Sequence, residues 1–253
     1  MDNHWLLSVR PAFAASFLKK LLRIKRRIVE TDYGRFFVDP ASNLGNSIIT
    51  QPAYEPQMLG VLTSLLKEGD LFLDIGTNEG YFSIIASNLV GDTGCVLSVE
   101  PQSRLQEIIF CNMELNQASN MHVFQLALSD DVGTARISLL PDMNTGGSGL
   151  FPATRYKIPT QIVPQTTLGR LLDLLGISRI KLMKIDVEGF EYEVILGSQG
   201  VFADGVIENI ALELHPSILD RRGKSADDIV SFLEGCGYQR NSAFQTLVMS
   251  KAQ

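Results

Sequence analysis

Cysteine is scarce. Cys95, Cys111 and Cys236 are the only three, an odd number with no CxxC pairing. This excludes a disulfide framework or a thiolate zinc site and suits a reducing compartment. No uncharged apolar run reaches the roughly 18 residues that a membrane-spanning helix needs. The opening Met1-Asp2-Asn3 has no basic stretch leading into an apolar one, which argues against a secretory signal and for a cytoplasmic location. Basic charge is in deficit, with 22 Lys and Arg against 28 Asp and Glu, so a general nucleic-acid binder is not expected. There is no repeat and no low-complexity tract. What remains is an ordinary globular composition, 45% hydrophobic and 20% charged, which excludes a disordered chain, a collagen and a coiled coil.

The charge is unevenly placed. Seven basic residues and no acidic one lie between Arg10 and Ile28, which leaves −13 for the rest of a chain whose net charge is −6. On a helical period Phe13, Phe17, Leu21, Ile24 and Ile28 share a face, with most of the Lys and Arg opposite. Two readings stay open. The helix docks its apolar stripe on the protein and leaves its charges in water, or it makes peripheral contact with an anionic membrane surface. Residues 1–53 are therefore read as an N-terminal arm with a short strand at Tyr33–Asp39, and residues 54–253 as the main domain.

From Leu71 onward strand and helix patterns alternate. Strands are expected at Leu71–Ile75, Val96–Glu100, His122–Leu126, Ala135–Leu140, Ile180–Ile185 and Asn209–Leu214, with a strand pair in the tail from Tyr238 to Ser250. Helices are expected over 54–67, 80–90, 103–117, 166–175, 189–197 and 225–234. Such alternation predicts an α/β fold, a doubly wound and mostly parallel sheet with helices on both faces. Ligands of such sheets bind beyond the carboxyl ends of the strands. The stretch from Pro141 to Pro159, with Gly146-Gly147-Ser148-Gly149, is too long for a plain connection and is a candidate lid.

The first of those strand ends is Asp74-Ile75-Gly76-Thr77-Asn78-Glu79-Gly80. Gly76 and Gly80 allow a close backbone approach, and the helix start that follows offers N–H groups to an anionic group. A dinucleotide site wants G-x-G-x-x-G; here the spacing is G-x-x-x-G with Asp74 just ahead. A carboxylate there repels a pyrophosphate and attracts an α-amino group, which favours S-adenosylmethionine over NAD. Glu100, at the second strand end, offers two acceptor oxygens to the ribose hydroxyls or caps the next helix. Small and apolar residues around Ala127, after the third strand, suit a flat adenine.

In these blocks the chain resembles the FkbM-type methyltransferases, a branch of the class I S-adenosylmethionine-dependent enzymes. The resemblance runs from about Val38 to about Pro216. It rests on Asp74-Ile75-Gly76-Thr77-Asn78-Glu79-Gly80-Tyr81-Phe82-Ser83, where Thr77 replaces the usual alanine, and on Val99-Glu100-Pro101. Asn112 and Asn116 match the family's N-x-x-x-N helix. Val163-Pro164-Gln165-Thr166-Thr167-Leu168 follows, with Gly169 for the usual aspartate, and then Lys184-Ile185-Asp186-Val187-Glu188-Gly189-Phe190-Glu191. The resemblance implies methyl transfer, typically to a hydroxyl of a sugar, glycan or other small natural product. It also implies a donor site at Asp74, Gly76, Asn78, Gly80, Glu100 and Ala127.

In that class the strand end at Asp186 faces the methyl group. Asp186 and Glu188 are candidate bases or acceptor contacts, although acids in a first helical turn also serve as dipole partners. Glu188 and Glu191 are expected on one helix face, and Glu191 and Glu213 are candidate substrate contacts. Glu213 and His215 are expected on one side of a strand by alternation. His215 could act as base. Asp186, Glu188, Glu213 and His215 have ligand chemistry for a divalent ion, but they are dispersed in sequence, so no metal is assigned. A nicotinamide oxidoreductase on the same fold and a non-catalytic membrane-surface module are the competing readings.

Overall fold

The computed structural model describes residues 18–19, 21–140 and 159–252. An antiparallel hairpin of β1 (Arg27–Thr31) and β2 (Gly34–Val38) comes first, then α1 (Asn43–Thr50) and α2 (Pro56–Leu65). The alternating part follows as β3 (Leu71–Ile75), α3 (Tyr81–Val90), β4 (Cys95–Val99), α4 (Ser103–Asn116) and β5 (Met121–Phe124). Next come β6 (Ala127–Leu128), β7 (Gly133–Ser138) and β8 (Thr160–Thr166), then α5 (Leu168–Leu175), β9 (Ile180–Ile185), α6 (Glu191–Leu196) and α7 (Gln199–Ala203). The chain continues through β10 (Ile207–Leu212), α8 (Pro216–Arg221), α9 (Ala226–Gly235), β11 (Tyr238–Arg240) and β12 (Leu247–Lys251).

Seven strands form one sheet in the order β11-β12-β10-β9-β3-β4-β5. Strands β10, β9, β3, β4 and β5 are parallel, and β12 runs antiparallel to both its neighbours. The central strands read as near-continuous apolar runs because both their faces are covered. Phe72 and Leu182 join a core with Met58, Ile84 and Ile109 on one face. Leu73, Ile75, Met183 and Ile185 join Leu168, Val194, Phe202 and Ile229 on the other. The chain leaves β3 toward β4 and β5, then returns to lay β9 on its opposite side, so strand order reverses between β3 and β9. That reversal opens a crevice at the strands' carboxyl ends.

The fold class is as the alternation predicts, and Leu71–Ile75 and Ile180–Ile185 are strands over the predicted residues. Leu18, Lys19 and Leu21 are helical as the arm's period predicts, but the reading fails from Arg23 onward. Arg23 takes a left-handed φ of 53°, and Arg27 and Ile28 lie in β1, with Ile28 49% exposed. The period that placed Ile24 and Ile28 on a helical face therefore has no helix to act on. Arg26 instead makes a two-pronged ion pair with buried Glu79, at 2.7 and 2.9 Å, and Lys19 pairs with buried Asp39. Asn112 and Asn116 clasp β2: Asn112 Oδ1 accepts from Phe37 N–H at 2.7 Å and Asn116 Oδ1 accepts from Arg35 N–H at 2.9 Å. Phe36, Val38, Leu44 and Ile48 share the core of Phe72, so the expected boundary at residue 53 marks no gap in packing.

Strand β8 sits where only a motif and a helix start are expected, and Pro164 lies inside it. It pairs with β7, while β6 reaches only Gln165 and Thr166, which leaves Pro164 opposite an open edge where its missing N–H costs little. The candidate lid lies outside the described residues except at Pro159, as do residues 10–17 of the arm. No helix among the described residues is long and apolar enough to cross a membrane.

Candidate active site

The crevice at the strand reversal is lined from three strand ends. Ile75, Gly76 and Asn78 come from β3, Val99, Glu100, Pro101 and Gln102 from β4, and Asp186, Val187, Glu188 and Phe190 from β9. Leu126, Ala127, Leu128 and Ile137 close one wall with apolar surface. Glu100 is buried, and its two oxygens accept backbone N–H groups from Asn78 and Gln102, each at 3.0 Å. Burial pushes its carboxyl up to about 7, against the pull of those hydrogen bonds. A carboxylate has about four acceptor positions; the Gln102 side chain shares those the backbone leaves with any hydroxyl entering the crevice. These residues fit the ribose and adenine of a nucleoside.

Gly76 is constrained by the protein itself. At φ 85° its added Cβ would lie 1.8 Å from the Asp186 carbonyl oxygen, so the turn after β3 and the end of β9 are locked together. Asp74 is buried beside Ser83 and Lys184 and is not among the residues that line the crevice. Its Oδ2 accepts from Ser83 Oγ at 2.6 Å, Lys184 Nζ lies 3.8 Å from Oδ1, and Oδ1 accepts no hydrogen bond from the described residues. Burial raises its pKa, against the opposing pull of Lys184. The side-chain alternation that buries Leu73 and Ile75 on one face sends Asp74 to the other.

Acids and an imidazole meet beyond β9 and β10. His215 Nδ1 lies 2.7 Å from Glu191 Oε1, and its Nε2 lies 3.4 Å from Glu188 Oε2. Asp186 pairs with Lys184 at 3.3 Å. Burial opposes charge on His215, but the hydrogen bond to Glu191 and the carboxylates of Glu191, Glu188 and Asp186 outweigh it and push the ring up to about 9. Its Nδ1 is engaged by Glu191, which leaves Nε2 facing Glu188. Glu191 is wholly buried, contacts His215 and accepts from Gly189 N–H at 3.1 Å. Asp186 and Glu188 remain open to the crevice, with side chains 28% and 25% exposed.

With that geometry in place, the family model for the methyltransferase FkbM domain matches residues 74–240. The chain belongs to the FkbM methyltransferase family. A model for protein-L-isoaspartate(D-aspartate) O-methyltransferase also matches residues 15–130. Methyltransferase sdnD of Sordaria araneosa is 28% identical over 161 residues, covering 52% of this chain and 61% of its own length. The chain thus spans about three-fifths of that relative. Methyltransferase 1 of Beauveria bassiana (strain ARSEF 2860) is 24% identical over 212 residues, covering 76% of this chain and 83% of its own length. An inferred rRNA-methylase of Clostridium thermocellum superposes with a TM-score of 0.50 at 12% identity, over 78% of this chain and 95% of its own, a likeness of fold alone.

The FkbM blocks converge only in part. Gly76, Asn78, Glu100, Ala127, Asp186 and Glu188 line one crevice. Gly80 does not; at φ 85° it caps α3 and packs near Ile109. Glu188 has φ 51° and precedes α6, so Glu188 and Glu191 meet on His215 without sharing a helix face. Glu213 parts from His215 because β10 ends at Leu212 and the alternation stops there. It lines a second cavity of about 400 Å³ with Glu55, Gln57, Met58, Lys184 and Leu247. Lys184 is a buried lysine to which the sequence reading assigned no site role. It is 4% exposed and stands between the crevice and that cavity. Burial works against its charge, but Asp186, Asp74, Glu55 and Glu213 hold its pKa above the usual lysine value. The available signal was its place two residues before Asp186, on the same strand face.

Proposed function

We propose that this FkbM family member transfers a methyl group from S-adenosylmethionine to a hydroxyl oxygen of a sugar, a glycan or another small natural product. The observation that carries the reading is Glu100: a buried carboxylate, held by two backbone N–H groups and opening onto an apolar slot, at the strand reversal of a family fold. Its spare acceptor positions take the ribose hydroxyls. Leu126, Ala127, Leu128 and Ile137 take the adenine face, and the Gly76–Asn78 turn receives the amino-acid end. The donor supplies a sulfonium methyl carrying a neutral leaving group.

The chain's own residues do the rest. The cavity beyond Lys184 holds the acceptor, with Glu55 and Glu213 as hydroxyl acceptors, and its size suits a small molecule. An alcohol is a weak nucleophile until its proton is taken, a step worth roughly 10²–10⁴-fold. Asp186 or Glu188 takes that proton, both being open to the crevice. Lys184 holds Asp186 in place, and His215 with Glu191 behind it holds Glu188. Residues 54–253 carry this chemistry, with the preceding hairpin bracing the donor turn through Arg26 and Glu79. A screen of glycans and hydroxylated small molecules with methyl-labelled donor tests the reading. Label transferred to an acceptor oxygen, with S-adenosylhomocysteine formed in equal amount, supports it. Transfer to nitrogen or carbon alone would replace the hydroxyl with another acceptor.

A further inference from the structure

We infer that Asp186, Glu188 and His215 form a binding site for one divalent cation, with Glu191 as the residue that positions the imidazole. One ligand atom from each of the three lies within 4.8 Å of the other two. Two ligands on one ion, at the usual oxygen and nitrogen distances of about 2.0–2.6 Å, stand no farther apart than about that. The set therefore closes on an ion by small side-chain rotations. The sequence separation that argued against a metal is bridged by the parallel pairing of β9 with β10, which brings the two strand ends side by side.

Two further observations point the same way. Glu191 stands behind the ring. Its Oε1 is 2.7 Å from Nδ1, which leaves Nε2 facing Glu188 and the crevice. A carboxylate holding one ring nitrogen while the other faces an ion is the common arrangement behind a metal-bound histidine. Glu191 is also 0% exposed, and its Oε2 has no hydrogen-bond partner among the described residues. A wholly buried carboxylate is costly unless positive charge stands near it. Asp186, Glu188 and Glu191 outnumber the imidazole in either of its protonation states. Of these carboxylates Lys184 reaches only Asp186, at its Oδ2. Two carboxylates and one imidazole suit Mn²⁺ or Mg²⁺ better than a soft-ligand metal.

The ion's use rests on the methyl-transfer reading: it would hold the acceptor oxygen and favour its deprotonated form. Whether the ion binds does not rest on that reading, so the test needs no methyl acceptor. The unmodified protein is titrated with MnCl₂ while the sharp solution spectrum of free Mn²⁺ is followed by electron paramagnetic resonance. One bound ion per chain is expected, displaced by excess Mg²⁺. His215→Ala and Asp186→Asn are each expected to weaken binding at least tenfold. Glu191→Gln is expected to weaken it by about 10–100-fold and to shift the visible absorption of bound Co²⁺, while S-adenosylhomocysteine affinity stays within threefold. No Mn²⁺ bound at millimolar concentration, or equal affinity in the His215→Ala protein, would overturn the inference. If His215→Ala does not fold, the titration of the unmodified protein and the Asp186→Asn variant still decide it. Loss of Mn²⁺ binding with S-adenosylhomocysteine binding intact would leave methyl transfer standing; the reverse would leave the ion and remove the donor site.

Discussion

The two halves of the crevice are built by different means. The half at the ends of β3 and β4 relies on backbone: two N–H groups on Glu100, a turn locked by Gly76, and apolar walls. The half at the ends of β9 and β10 relies on side chains, with Lys184 on Asp186 and His215 between Glu188 and Glu191. Backbone groups cannot be exchanged by mutation, which suits the recognition of one unchanging donor. Side-chain charges can be exchanged, and they are placed where acceptor and chemistry meet. Under the proposed function, binding falls to one half and turnover to the other.

The sharpest way to break that contrast is in the acidic half. Glu188→Gln or Asp186→Asn should lower turnover by roughly 10²–10⁴-fold while donor affinity by isothermal titration changes only a few-fold. A large loss of donor affinity instead would move these acids into the donor site. Next in size is the brace beneath the donor turn. Arg26→Ala leaves buried Glu79, whose side chain is 1% exposed, without its two-pronged partner. Removal of one partner of such a pair costs about 3–5 kcal/mol, to be read from the denaturant midpoint. A loss below 1 kcal/mol would mean the hairpin is not part of the donor half.

On the donor side, Glu100→Ala should weaken S-adenosylhomocysteine by about 100-fold, the loss of two hydrogen bonds to a charged group. Unchanged affinity would remove the ribose assignment. The smallest effect is that of pH. Glu100 accepts hydroxyls best when ionised, and its carboxyl stands at about 7. Donor affinity should therefore rise about tenfold from pH 6 to pH 8, and Glu100→Gln should flatten the rise. The sign for the free protein is opposite. A carboxyl raised from 4.5 to about 7 contributes stability that is full below 4.5 and is lost as pH rises through 7. Thermal unfolding without ligand over that window tests the sign.

Much of the fold was legible because the central strands are buried on both faces. Leu71–Ile75 and Ile180–Ile185 announce themselves as apolar runs of strand length, and their burial leaves no other choice. β1 and β8 escaped for opposite reasons. Arg27–Thr31 is half charged and becomes a strand only because β2 pairs with it. Thr160–Thr166 contains a proline that argues against any strand until the neighbour's short reach is known. At the site, Glu100 and Asp186 were legible as acids at strand ends. Asp74 lies inside β3 with one oxygen unpartnered among the described residues, a detail that only the packing around it shows.

What the sequence determined by itself is therefore the order of the strands along the chain and the acids that end them, since apolar period and residue type are local properties. Which of those acids share a space is decided by tertiary structure. His215 meets Glu188 and Glu191 because β10 lies beside β9, because β10 stops at Leu212, and because Glu188 takes a left-handed backbone. Each of these depends on what packs alongside, and no window of sequence contains it.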